Sequence, residues 1–269
     1  MTIVDLHTHG ADSYDFRWNL PGIRGRPYSR TDIGEKMVEH CFKTEKSTLV
    51  GVINFDDNRW QGIFEDLRRV NGYEIFDSDY LVSLVRDGKR ISFVVGQEIP
   101  TDRGHVLIVG AGKNIEGRVL YDVLKNARDL NGLVIADHPL ASVIGLQEEA
   151  IDKYRDYFDA IEVCNSNYSG DIRKRQEELA SRFRIPGIAA SDSHSVSKVF
   201  SSYTRFDNLD FSDANKLKAS MRNCLRSGSY SIERGTNGRL EAVRHVVAVA
   251  SALSGLKLGI LKRGKYALS

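Results

Sequence analysis

Short apolar runs, many of them β-branched, recur along the chain. Between them lie longer stretches in which apolar positions return every three or four residues. The short runs predict strands at Ile3–His7, Thr48–Asn54, Ile91–Gln97, Val106–Val109, Leu133–Ala136, Ala160–Cys164 and Gly187–Ala190. Several are apolar at successive positions, as expected of parallel strands covered on both faces. The longer stretches predict helices near Ile33–Lys43, Ile63–Val70, Ile115–Leu130, Glu148–Phe158 and Ile172–Phe183. In Ile115–Leu130, for example, Val119, Leu120, Val123, Leu124 and Ala127 fall on one helical face. Such βα alternation predicts an α/β fold built on a parallel sheet or barrel. After Asn208 the pattern changes. Ser212–Leu225 and Arg239–Leu253 read as two further helices, with Gly228, Gly235 and Gly238 between them. Residues 1–208 are therefore expected to form the barrel, and 209–269 a C-terminal helical extension packed on it.

Polar chemistry collects where the predicted strands end. His7 and His9 close the first strand, and residues two apart on a strand share a face, so both imidazoles can aim at one cation. Glu98 follows the apolar run Ile91–Val95, and a carboxylate there can bridge two cations. His105 opens the stretch Gly104-His105-Val106-Leu107, and His138 follows a buried-type strand in Ala136-Asp137-His138-Pro139. Asp192 and His194, again two apart, follow Ile188-Ala189-Ala190. Five of the seven histidines thus sit at strand ends, while His40 and His245 lie in helical stretches and read as surface or packing residues. In parallel α/β folds the carboxyl ends of the strands carry the site.

Imidazole mixed with carboxylate suits Zn²⁺, Mn²⁺ or Fe²⁺. The number of candidates exceeds the four ligands of one tetrahedral zinc, so two cations sharing a carboxylate fit better. Other chemistries are excluded. Cys41, Cys164 and Cys224 are odd in number and scattered, which argues against a disulfide scaffold and fits a reducing, cytoplasmic setting. Gly110-Ala111-Gly112 has neither the dinucleotide glycine pattern nor the phosphate-loop lysine. The net charge is +2, from 38 basic and 36 acidic residues, so no strong field draws the chain to long nucleic acid. The run Val246–Leu256 is far short of the ~20 apolar residues that cross a bilayer, and no membrane partner is expected.

The order of these motifs, Asp5-Leu6-His7-Thr8-His9, then Glu98 with Gly104-His105-Val106-Leu107, then Asp137-His138-Pro139, then Ser191-Asp192-Ser193-His194, resembles the PHP family, named for polymerase and histidinol phosphatase. The resemblance implies a distorted (β/α)7 barrel holding two or three divalent metal ions (Zn, Mn or Fe) and hydrolysing phosphoesters. Carried over by position, it implies that His7, His9, Glu98 and Asp192 hold one metal, and that Glu98, His105 and His138 hold the second. It implies further that His194 belongs to a third site or meets the scissile phosphate, and that Asp15, competing with Asp12, adds a ligand.

The chain departs from the family pattern in two places. Gly10 stands where the family usually has Ser. After the second strand, Ile53-Asn54-Phe55-Asp56-Asp57 replaces a typical Thr-Asp-His, so Asp56 takes the histidine position. The expected activity is hydrolysis of a small phosphorylated molecule by a hydroxide activated between the metals, with His194 or Asp56 as catalytic groups. Arg17, Arg24 and Arg26, in a loop rich in glycine and proline after the first ligand pair, are candidates for the substrate phosphate. The alternatives are a phosphodiesterase or exonuclease on nucleic acid, an amidohydrolase-like enzyme cleaving C–N or lactone bonds, and a metal-binding scaffold without activity.

Overall fold

A computed structural model describes residues 1–9, 30–44, 46–55, 60–78, 80–141, 144–168, 170–194 and 196–235. Its strands are β1 (Thr2–His9), β2 (Thr48–Phe55), β3 (Glu74–Ser78), β4 (Leu81–Arg86), β5 (Lys89–Thr101), β6 (Gly104–Val109), β7 (Leu133–Ala136), β8 (Ala160–Asn165), β9 (Gly187–Ala190), β10 (Tyr203–Phe206) and β11 (Tyr230–Glu233). Its helices are α1 (Arg30–Phe42), α2 (Trp60–Leu67), α3 (Leu120–Asp129), α4 (Glu148–Lys153), α5 (Asp171–Phe183) and α6 (Ala214–Ser227).

All the strands join one sheet in the order β11-β10-β1-β2-β5-β6-β7-β8-β9, with β4 and then β3 branching from β5. The sheet curls until β9 meets β1. Thr8 bridges Ser193 in parallel, and His9 N donates to Ser193 O at 2.9 Å. Seven strands, β1, β2, β5, β6, β7, β8 and β9, thus form the nearly closed, distorted barrel that the family resemblance implies. Six run parallel. The seventh, β6, is antiparallel to both β5 and β7, and this corrects the reading of Val106–Val109 as one more parallel strand. Thr101 and Gly104 close a tight turn between β5 and β6. Gly104 takes φ +114° there, and a Cβ would sit 2.4 Å from Gly145 O, so no other residue fits.

The helices cover the barrel wall and one end. Val123, Leu124 and Ala127 of α3 and Leu179 and Ala180 of α5 share a core with Val134, Ala136, Ile161 and Val163. The predicted helix at Ile115–Leu130 begins only at Leu120. Gly117 (φ +126°) interrupts the helical path, and Ile115 is tied to the wall through its backbone N, which Gln97 Oε1 accepts at 3.0 Å. The hairpin partners β3 and β4, and the later strands β10 and β11, are additions to the sequence-derived set. Leu217, Met221 and Leu225 of α6 pack with Val4, Leu107, Ile135 and Ile188. Arg222 of α6 donates to Gly132 O at 2.7 Å, and Lys218 to Gly110 O. Both carbonyls lie where the parallel strands begin, so α6 covers the end opposite the carboxyl rim. The second predicted helix of the extension, Arg239–Leu253, lies outside the described residues. Among the described residues, no helix is long and apolar enough to cross a membrane.

Candidate metal centre

β1 delivers the first ligands through an irregularity. Its register against β2 shifts between Asp5 and Thr8, and Thr8 Oγ1 donates to Gly51 O at 2.7 Å. Gly51 permits this approach, since a Cβ there would lie 2.2 Å from Leu6 O. Bulges of this kind re-aim side chains beside sites. Upstream, Asp5 is anchored by the backbone N of Ser191 (3.0 Å) and of Phe200 (2.9 Å), tying β1 to the segment after β9. Burial raises the Asp5 pKa to about 6, against the pull of its Ser191 contacts.

His7 Nε2 and His9 Nε2 lie 3.2 Å apart. Asp192 Oδ1 is 3.1 Å from His9 Nε2 and 3.5 Å from His7 Nε2, and Glu98 Oε2 is 3.6 and 3.9 Å from the same two nitrogens. Four ligands about 2.0–2.1 Å from a tetrahedral cation lie about 3.3 Å from one another. His7, His9 and Asp192 have close to that spacing, with Glu98 Oε2 a little farther out. Asp192 takes φ +48°, a left-handed conformation that Asp adopts more readily than most residues. Its second oxygen accepts from Asn165 Nδ2 (3.1 Å) and Asn167 Nδ2 (2.9 Å), which leaves Oδ1 facing the imidazoles.

The second group shares Glu98. Its Oε1 lies 3.2 Å from His138 Nε2 and contacts His105 Nδ1. His105 is near this oxygen because β6 runs backwards: an antiparallel strand starts at the rim where its parallel neighbours end. His194 sits at the edge, stacked on His9 with ring centroids 4.2 Å apart, its Nε2 3.4 Å from Asp192 Oδ1.

The fold therefore brings His7, His9, Glu98, His105, His138, Asp192 and His194 to one place. Asp15, Asp56, Arg17, Arg24 and Arg26 lie outside the described residues. His40 stands apart, with Nε2 3.1 Å from Val199 O and its ring stacked on Phe200.

Two acids were given no role by the sequence reading. Glu162, fully buried in β8, accepts from His7 Nδ1 at 2.9 Å through Oε1; its Oε2 accepts from His138 N and Asn165 Nδ2, both at 3.1 Å. Asp137 is equally buried beside His7 and His138. The available signal was a glutamate inside the apolar run Ala160–Cys164, where an unpaired charge is costly.

The electrostatics are those of a cluster built for positive charge. Burial opposes the charged form of His138, yet Asp137 and Glu98 raise its pKa to about 10. His7 is also held well above the usual histidine range, burial being outweighed by Asp137, Asp192 and Glu162. Burial and the neighbouring His194 push His9 down to about 4. Glu98 is held well below the usual carboxylate range, because His105, His138 and His7 overcome the burial penalty. Glu98 Oε2, both Asp137 oxygens and His138 Nδ1 are buried without a hydrogen-bond partner. Oxygens left this way, amid imidazoles at ligand spacing, fit divalent cations.

Residues 173–223, from α5 into α6, match the PHP-associated family (PHP_C). No curated protein matches the sequence. Among solved structures, PsfC from Pseudomonas syringae PB-5123 is similar with a TM-score of 0.59 and 16% identity, over 94% of this chain and 98% of that one. A two-domain protein containing a predicted PHP-like metal-dependent phosphoesterase, from Bacteroides vulgatus ATCC 8482, is similar with a TM-score of 0.55 and 13% identity. That likeness covers 87% of this chain and 64% of the other, so this chain spans less than two thirds of that protein. At these identities the structural likeness establishes the fold. The matched segment is thus similar to the PHP-associated family, and the barrel is a fold the chain shares with these structures.

Proposed function

We propose that the chain is a metal-dependent phosphoesterase that hydrolyses a small phosphate monoester. One observation carries the reading: two ligand groups, from strands far apart in sequence, meet on the two oxygens of Glu98. A pair of divalent cations, when bound, would lower the pKa of an attacking water and offset charge on the phosphoryl oxygens. His7, His9, Asp192 and Glu98 would hold one, and Glu98, His105 and His138 the other.

The protein's own groups support this chemistry. Glu162 accepts a hydrogen bond from His7 Nδ1–H and so presents Nε2 to a cation. Asn165 and Asn167 fix the Asp192 carboxylate with one oxygen forward. His194, 14% exposed at the edge of the cluster, is placed to donate a proton to the leaving oxygen or to meet the phosphoryl group. Asp56 and the arginines Arg17, Arg24 and Arg26 remain part of the proposal as a second acid and as phosphate contacts. The near-zero net charge favours a small substrate over a polynucleotide.

The test is hydrolysis of p-nitrophenyl phosphate, bis(p-nitrophenyl) phosphate and a lactone by protein stripped of metal and reloaded with Mn²⁺, Zn²⁺ or Fe²⁺. Metal-dependent release from the monoester in preference to the others is the expected result. Preference for the diester would favour a nuclease, preference for the lactone an amidohydrolase-like enzyme, and metal binding without turnover a scaffold.

A further inference from the structure

Asp137 has no role in the ligand sets above, and its surroundings give it one. The side chain is fully buried, and neither oxygen accepts a hydrogen bond. Oδ2 lies 3.2 Å from His138 Nε2, the same nitrogen that is 3.2 Å from Glu98 Oε1. Oδ1 lies 3.1 Å from His7 Nδ1. We infer that Asp137 is a direct ligand of the second cation, completing with Glu98 Oε1, His138 Nε2 and His105 Nδ1 a set of two oxygens and two nitrogens. The inference rests on the reading of the cluster as a cation site.

The competing role for Asp137 is to orient His7. That place is taken. His7 has a single Nδ1 proton, and Glu162 Oε1 accepts it at 2.9 Å, closer than Asp137 and in hydrogen-bond alignment. A buried aspartate that no protein donor reaches is costly, and a cation bound to it removes that cost. Charge points the same way. Among the described residues, four buried carboxylates face the imidazoles: Glu98, Asp137, Glu162 and Asp192. Ionised, as metal ligands must be, they match the charge of two divalent cations. Asp5 stands outside this balance, held by its own two backbone donors. With Asp137 included, each cation has four side-chain ligands, Glu98 being shared; without it the second has three.

The experiment titrates metal-free wild type and Asp137→Asn with Co²⁺ against a chromogenic chelator. Wild type should bind two equivalents. The variant should bind one with wild-type affinity, the second weakened about 100-fold or more, since an amide oxygen is a poor substitute for a carboxylate ligand. Added to His138→Ala, which already disables the second position, Asp137→Asn should change nothing further. Added to Asp192→Ala, it should remove the remaining cation. Two equivalents at unchanged affinity in Asp137→Asn overturn the assignment. So does weakening of the His9–Asp192 cation alone, the signature of a group that orients His7. Should wild type bind no cation, the metal reading fails along with this one; two cations bound without phosphatase activity leave the assignment standing and sink only the proposed reaction. If Asp137→Asn does not fold, zinc-loaded wild-type crystals decide: an Asp137 oxygen about 2.0–2.2 Å from a cation supports the assignment, and none within ligand distance overturns it.

Discussion

Charge is buried at both ends of this barrel, and the two ends treat it differently. At the end covered by α6, Asp159 accepts from Arg128 Nη1 (3.1 Å), Arg222 Nε (3.0 Å) and the backbone N of Val134 (3.0 Å). Lys218, 3% exposed, donates to Gly110 O. These charges are closed off by the protein's own partners. At the opposite rim, Glu98 and Asp137 keep oxygens with no donor at all, although both residues are as deeply buried. Burial alone therefore does not mark a site. A saturated buried charge belongs to the architecture, while a buried carboxylate left open among imidazoles is shaped for something the polypeptide does not supply.

The contrast can be broken or sharpened by substitution at each end. Glu98→Gln should have the largest effect, because both groups lean on one carboxylate. Metal content should fall to one equivalent or less by elemental analysis, and monoester hydrolysis by about a thousandfold or more. The metal-free variant should also be less stable than metal-free wild type, because the Glu98 charge is paired with imidazoles there; activity near wild type would end the account of the bridge.

Next comes a pH effect confined to the metal-free protein. His138 is raised to about 10 in the folded state from an ordinary value near 6.5, so its stabilisation is complete below about pH 6.5 and lost as pH rises through 10. Chelator-treated protein should lose up to several kcal/mol of unfolding free energy over that window. Loaded protein should not, because cations replace the protons, and cation affinity should rise with pH. Parallel loss in both forms would show that the imidazoles do not exchange protons for metal.

At the far end, Asp159→Ala should cost about 3 kcal/mol in denaturant unfolding, since it strands two guanidinium groups and an amide. The same variant should keep its full complement of cations. Glu162→Gln should reach the metal, lowering cation affinity about 10–100-fold in chelator competition. The smallest effect belongs to the surface. Lys174 and Glu178 sit one turn apart with 3.9 Å between charges and are largely exposed, so Glu178→Gln should shift stability by less than about 0.5 kcal/mol and leave the metal alone.

Much of this was legible before folding. His7 and His9 on one strand face, and Asp192 at the end of an apolar run, follow from two-residue periodicity, which is local. The assignment of His105 needed more. Read as the start of a parallel strand, Val106–Val109 would have carried it to the wrong end of the barrel; the antiparallel turn at Thr101–Gly104 returns it to the rim. Asp137 and Glu162 were hidden for another reason. A carboxylate in a sequence carries no mark of whether donors will reach it; those of Glu162 come from β1, the turn after β7 and β8, while none reaches Asp137.

The amino-acid order by itself determined the strands, the helices that cover them and the kinds of ligand at their ends, because periodicity and side-chain chemistry act over a few residues. Tertiary structure alone decided which way β6 runs, that one glutamate touches both ligand groups, and which buried acids are left without donors. The shared glutamate and the donors depend on contacts between separate segments, Glu98 with His7 and His138 and Glu162 with His7, and such contacts exist only once the barrel has closed.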